Sequence, residues 1–129
     1  MIARQWRMKL PHDFRQVFRH GAYARKEYLG VHYCRRNDAE DHGLVGFVVP
    51  KKALHLAVSR NRVKRQLRHI VARAIDTQKV RPSDYFVVRV YSDARNVSSS
   101  DLESLFYSAF YSAQAKFDKS LFKATRSRL

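Results

Sequence analysis

The sequence predicts an α+β fold, a two-layer α/β sandwich in the order helix, strands, helix, strand, helix. Three observations predict it. Short alternating or apolar runs bounded by turn residues occur near residues 28–35, 44–49 and 84–91, as strands require. Around them lie segments with apolar residues at i, i+3 and i+4, the spacing of one helix face. The chain has 129 residues, 45% of them hydrophobic, which suits one domain whose helices cover an open sheet.

The first helix is expected over His12 to His20, with Asp13 near its start and Gly21 just past its end. Phe14, Val17 and Phe18 then share a face. Ala22 to Arg25 carries only a weak strand signal. Tyr28 to Arg35 alternates and is rich in β-formers, so it reads as a strand. Asn37 to Gly43 is a polar turn. Leu44 to Val49 reads as a buried strand antiparallel to the one before. Pro50 and the Lys51-Lys52 pair lead to a long helix from about Ala57 to Ile75. Its apolar arc is Val63, Leu67, Ile70, Val71, Ala74 and Ile75. Pro82 and Ser83 break the chain before a central strand, Asp84 to Tyr91. Ser98 to Asp101 offers several N-caps for a last helix whose face is Leu102, Leu105, Phe106, Ala109 and Phe110. Residues 1–129 form one domain in this reading, with 1–8 and 119–129 as flexible basic tails.

Charge narrows the function. The net charge is +15, and between Leu44 and Ile75 there are eight basic residues and no acid. Surface helices that need only solubility mix the two signs, because opposite charges a turn apart support the helix. An all-positive helix accepts self-repulsion, which a polyanion would relieve. Nucleic acid is the expected partner, through phosphate neutralisation and counterion release. No apolar run approaches the roughly 20 residues needed to span a bilayer, and the N-terminus lacks the apolar core of a signal peptide. A cytoplasmic protein without membrane contact is expected. Cys34 is the only cysteine, which leaves no internal disulfide. Arg35 and Arg36 beside it could lower its pKa; a small apolar strand residue is the commoner role.

The block Arg60-Asn61-Arg62-Val63-Lys64-Arg65-Gln66-Leu67-Arg68 closely resembles the signature helix of the bacterial ribonuclease P protein family. Val45-Gly46-Phe47-Val48-Val49-Pro50-Lys51-Lys52 resembles the strand and lysine pair that precede it. Asp13-Phe14-Arg15-Gln16-Val17-Phe18-Arg19-His20-Gly21 is similar to the N-terminal pattern. The likeness runs over roughly residues 8 to 115. Two positions differ from the usual pattern: His55-Leu56 stands where a Gly-Asn pair is common, and His69 where Glu is common.

The resemblance implies a mixed sheet of about four strands with the basic helix in a βαβ crossover. It implies a subunit of the endoribonuclease that matures tRNA 5′ ends, with catalysis carried by a large RNA and Mg2+ used by the RNA–protein holoenzyme. No metal is expected to be tightly bound to this chain, and no obligate protein partner. Its partners would be the catalytic RNA and precursor tRNA. Arg60, Asn61, Arg62, Lys64, Arg65 and Arg68 would bind the catalytic RNA. Phe14, Val17, Phe18, Tyr33, Lys51 and Lys52 would line a cleft for the precursor's 5′ leader. A one-residue slip in the second strand would select His32 instead of Tyr33. Taken alone, the spacing of Phe14, Val17 and Phe18 favours residues that anchor a helix to the core.

The sequence offers little for catalysis by the protein itself. None of its six histidines pair at i, i+3 or i+4 as helix-borne metal ligands would. It has no glycine-rich phosphate loop and no nucleophile motif. Asp38, Glu40 and Asp41 read as a solvated loop. The competing reading is a ribosomal-protein-like RNA-binding module without a processing role.

Overall fold

The structure is a computed structural model and describes residues 2–36, 42–91, 94 and 96–127, with side chains as far as Lys123. Helix α1 spans Pro11–His20, β1 Ala22–Lys26, β2 Leu29–Arg35, β3 Leu44–Val48, α2 Ala57–Asp76, β4 Asp84–Val90 and α3 Ser99–Ser127. Pro11 suits the first turn of α1 because its missing N–H has no helical partner there. Asp13 in the first turn and Arg19 and His20 in the last turn complement the helix dipole.

The four strands form one mixed sheet in the order β1-β2-β4-β3. β1 and β2 are an antiparallel hairpin, and β2 pairs antiparallel with β4. β3 lies parallel to β4, so α2 is the crossover of a βαβ unit. β3 therefore pairs with β4, and not with β2 as the expected antiparallel pair required. The apolar run Tyr85–Val88 within β4 suits its central place between β2 and β3.

α2 and α3 pack on one face of the sheet. Leu29, Val31, Tyr33, Val45, Phe86, Val88 and Val90 meet Val63, Leu67, Ile70 and Val71 from α2, and Leu102, Phe106, Ala109, Phe110 and Ala113 from α3. α1 packs on the other face, around Met8, Val17 and Val87. The sandwich thus gains a partial third layer. Gly46 makes it possible: a Cβ there would lie 2.6 Å from Cε1 of Phe14, so only glycine lets the ring sit on the strand.

Two expectations about the termini are corrected. Residues 2–8 do not form a flexible tail. Ile2, Trp6 and Met8 are buried, and the Met8 N–H donates to the Val45 carbonyl at 2.9 Å. Their apolar side chains outweigh the basic residues between them. At the other end, α3 is helical through Ser127. Residues 37–41, including Asp38, Glu40 and Asp41, lie outside the described residues.

Candidate nucleic-acid interface

Helix α2 buries Val63, Leu67, Ile70, Val71 and Ala74, which turns the basic residues outward and to its flanks. Asn61, Arg62 and Arg65 are exposed, and Lys64 and Arg68 are half-buried. Lys64 and Arg68 line a groove with Arg7, Lys9, Phe14 and Phe47. The ordered N-terminal segment thus adds two cations to this edge. The opposite flank faces α3. There Gln66 Nε2 donates to Ser99 Oγ at 3.1 Å, and Arg73 pairs with Glu103 at 2.7 Å. Arg73 is therefore a tie between helices, and the cationic surface is the flank turned away from α3.

Arg60 has a different setting. Its Nη1 donates to the carbonyls of Leu54 and His55, both at 2.9 Å. These bonds fix the loop into the helix where the chain has His55-Leu56. Ahead of them, the Pro50 carbonyl accepts from the N–H groups of Ala53 and Leu54. Lys51 and Lys52 stand exposed on that turn, at the end of β3 where Val48 is level with Arg89.

The sheet face under α1 divides into rows of neighbouring side chains. One row is Gly46, Val87, His32 and Tyr23; the next is Val48, Arg89, Gly30 and Arg25. α1 covers the first row in part, with Phe14 over Gly46 and Val17 against Val87. Phe18 is 41% exposed and meets the His32 ring edge-on at 4.7 Å. Tyr23 lies over His32 at 4.4 Å. Its ring also lies over Gly30, where a Cβ would come within 2.6 Å of the phenol oxygen. Arg25 and Arg89 stand over the ring of Tyr91 at 4.3 and 5.3 Å. The second row, left open by α1, is therefore an aromatic floor with two guanidinium groups.

Two buried nitrogens here, His32 Nε2 and Arg89 Nε, have no hydrogen-bond partner. Groups of that kind call for an explanation, because an unsatisfied buried donor or acceptor costs about 1–3 kcal/mol. Burial, and after it the charge of Arg89, holds the imidazole of His32 below its usual pKa. Burial raises the Tyr23 phenol, helped by Tyr91.

Two residues expected in the cleft are not accessible there. Tyr33 has the opposite parity to His32 and points to the α3 face, fully buried against Phe110 and Phe117. Its hydroxyl donates to Asp84. His32 is the residue that faces α1, as the one-residue slip required. Val17 is 1% exposed; it anchors α1 and offers nothing to a ligand. Phe14 and Phe18 combine packing with partial exposure. Arg25, Arg89, Tyr23 and Tyr91 carry no motif that would mark them in the sequence. One signal is present: Arg89 interrupts the apolar run of a central strand, where a charge needs a reason. The Cys34 thiol is pushed up, chiefly by burial and against the opposing effects of the Arg35 backbone and the Arg36 charge, which leaves it a small packing residue. Among the described residues no three His, Cys, Asp or Glu side chains group to hold a metal ion, and no helix is long and apolar enough to cross a membrane.

Comparison with known proteins gives this geometry a context. The family model for ribonuclease P matches residues 2–114. The ribonuclease P protein component of Beutenbergia cavernae is 37% identical over 103 residues, covering 80% of this chain and 83% of that protein. That of Mycobacterium tuberculosis is 31% identical over 103 residues, covering 80% and 84%. The fold is also that of the RNase P protein from Staphylococcus aureus, with a TM-score of 0.71, 22% identity and coverage of 84% and 94%. For the Thermotoga maritima protein the TM-score is 0.66 at 24% identity, covering 79% and 92%. With most of its length matched, this chain belongs to the ribonuclease P protein family, whose bacterial members are RNA-binding components of a tRNA-processing ribonuclease.

Proposed function

We propose that the protein holds two RNA segments at once: the ribonuclease P RNA on α2, and the 5′ leader of precursor tRNA on the open half of the opposite sheet face. The observation that carries this reading is the sheet surface at the edge of α1. Phe18, His32, Tyr23 and Arg89 form a half-covered aromatic surface with unpaired polar atoms, and the cationic helix belongs to the same small fold.

The chemistry suits a single strand. Unstacked bases bind aromatic rings at about 1–3 kcal/mol per base, with little regard for sequence. His32 Nε2 and Arg89 Nε are themselves buried, so a base edge or phosphate would meet the outer parts of the His32 ring and the Arg89 guanidinium. A neutral imidazole offers one donor and one acceptor. Lys51 and Lys52, exposed at the same end of the sheet, would follow the backbone of the strand as point charges. On α2, the forked guanidinium groups of Arg62 and Arg65 suit paired contacts to phosphate oxygens. Asn61 would bond a sugar or base edge. Lys64 and Arg68 would extend the contact toward Arg7 and Lys9. Arg60 would contribute by fixing the loop that sets the helix start.

In this reading the RNA carries the cleavage chemistry, with Mg2+ as its ion, in the cytoplasm. The protein screens phosphates and orients the leader. It favours precursor over mature tRNA because only the precursor has a leader to hold. The test is reconstitution with ribonuclease P RNA, measuring 5′ processing at low magnesium with and without the chain. Faster processing with the protein is expected. A correctly folded chain that gives no acceleration would overturn the reading.

A further inference from the structure

The groove at the edge of β3 has a composition that phosphate contacts alone do not explain. Arg7 and Lys9 enter it from the N-terminal segment, and Lys64 and Arg68 from α2. Between them lie Met8, Val45, Gly46 and the rings of Phe14 and Phe47. Exposure sorts this lining. Arg7 and Lys9 are exposed, Lys64, Arg68 and the two rings are half-buried, and Met8, Val45 and Gly46 are buried. The groove is therefore cationic at its rim and apolar at its floor. No acid lines it, and none of the four cations has an ion-pair partner among the described residues. Four like charges around one recess repel one another, and a bound anion relieves that cost.

The backbone supplies a second, independent feature. β3 is an edge strand. The N-terminal segment closes that edge up to Val45, through the single bridge of Arg7 with Val45 and the bond from the Met8 N–H to the Val45 carbonyl. Outward-facing peptide groups alternate along a strand, so Phe47, two residues on, also turns its N–H and C=O to the outer edge. No described segment pairs with them there. Such a free edge awaits a hydrogen-bonding partner. A nucleobase presents a donor and an acceptor side by side on its Watson–Crick and Hoogsteen edges, which matches one N–H and one C=O. Size narrows the choice further. At about 210 Å3 the recess falls below the roughly 300–1,000 Å3 of pockets that enclose a drug-sized ligand. It suits one planar ring.

We infer that this recess takes one unstacked nucleotide of the ribonuclease P RNA, its base against Phe14 and Phe47 and its flanking phosphates on Arg7, Lys9, Lys64 and Arg68. Two facts point to that RNA rather than to the leader. Lys64 and Arg68 continue the α2 stripe that begins at Asn61, by i, i+3, i+7 spacing. The sheet order puts β3 at the edge opposite β1, whereas Tyr23 and Arg25 of the leader surface belong to β1. The inference rests on the reading that α2 docks on the ribonuclease P RNA, and adds a base contact to it.

The experiment compares Arg7→Gln/Lys9→Gln, Phe47→Leu and Arg62→Ala/Arg65→Ala in the full chain, each bound at saturation to ribonuclease P RNA. Base-specific chemical probing of the RNA and the salt dependence of binding are measured, with melting temperature as a check on the fold. The unmodified chain is expected to shield one base that is reactive in the free RNA. Arg7→Gln/Lys9→Gln should expose that base and lower the slope of log K against log salt by about 1–2 units. Phe47→Leu removes a ring and no charge, so it should expose the base and weaken binding about fivefold with the slope unchanged. Arg62→Ala/Arg65→Ala should lower the slope and leave the base shielded. Arg7 and Lys9 are exposed, so their pair tests the recess even where Phe47→Leu lowers the melting temperature. A slope that falls for Arg7→Gln/Lys9→Gln while no base changes reactivity makes these cations backbone contacts only and overturns the inference. An effect confined to the arginine pair also overturns it, and both outcomes leave the α2 reading standing. If no variant alters slope or reactivity, the α2 reading falls and the inference with it. A base shielded only after precursor tRNA is added assigns the recess to the substrate and overturns the inference as well.

Discussion

Asp84 is fully buried, and the fold is arranged to keep it satisfied. The Tyr33 hydroxyl donates to one carboxylate oxygen, and the Arg81 N–H donates to the other at 2.8 Å. Arg35 Nε and Gln114 Nε2 donate in turn to the Tyr33 oxygen, at 3.1 and 3.4 Å. Burial and the carboxylate push the Tyr33 phenol up to about 12, so it remains a donor across the working pH range. Tyr33→Phe leaves one Asp84 oxygen without its partner and should cost about 1–3 kcal/mol, measured by urea unfolding. Preference for precursor tRNA should not change. The neighbouring His32 behaves in the opposite manner. Its folded pKa lies below the ordinary 6.5, so the unfolded chain binds that proton more readily. Its contribution to stability is complete above 6.5 and is lost as pH falls through the lowered value. His32→Gln should therefore lessen the drop in melting temperature between about pH 7.5 and about pH 5. A drop as steep as in the unmodified chain would show that His32 is not held neutral. One position in a strand separates these two residues, and side-chain parity inverts with it. That is why the motif alone could not decide between them: the strand begins at Leu29 rather than Tyr28, and only the paired register fixes which face each residue takes.

At the scale of elements, the helices are the most legible in the sequence. α2 is expected over Ala57 to Ile75 and spans Ala57–Asp76, because its apolar arc is continuous and no Gly or Pro interrupts it. β1 is weakly signalled because Ala22–Lys26 is half polar; its pairing with β2, rather than its own composition, makes it a strand. Charge alone suggests a tail at the N-terminus, although Trp6 and Met8 seal one edge of β3. The basic face of α2 is visible as an absence of acids. Its direction is not, because the Arg73–Glu103 pair that turns one flank toward α3 joins residues 30 positions apart. Arg62 and Arg65 lie on the free side. Replacing both by Ala should weaken binding to ribonuclease P RNA and reduce its salt slope by about 1–2 units, near 0.7–0.9 for each phosphate no longer neutralised. Binding measured across a salt series checks this; an unchanged slope would remove this face from the interface.

For the molecule as a whole, one sheet separates two tasks. The face under α2 and α3 is a closed apolar core, and stability resides there. The face under α1 is only partly covered, and Arg25, Gly30 and Arg89 of its second row, with the Tyr23 ring over Gly30, would take the strand in the proposed reading. The division is only partly legible in the sequence. The family signature locates the basic helix and α1, but the open row is assembled from β1, β2 and β4, whose contributions are single residues without a motif. Phe18 sits at the border, packed on His32 and 41% exposed. The most direct measurement is the affinity of the reconstituted holoenzyme for precursor tRNA relative to mature tRNA, with Phe18 and with Phe18→Ala. The ratio should fall about tenfold, as expected when one base has no ring to stack on, while affinity for the ribonuclease P RNA holds. A lower melting temperature with an unchanged ratio would make Phe18 a core residue and contradict the account.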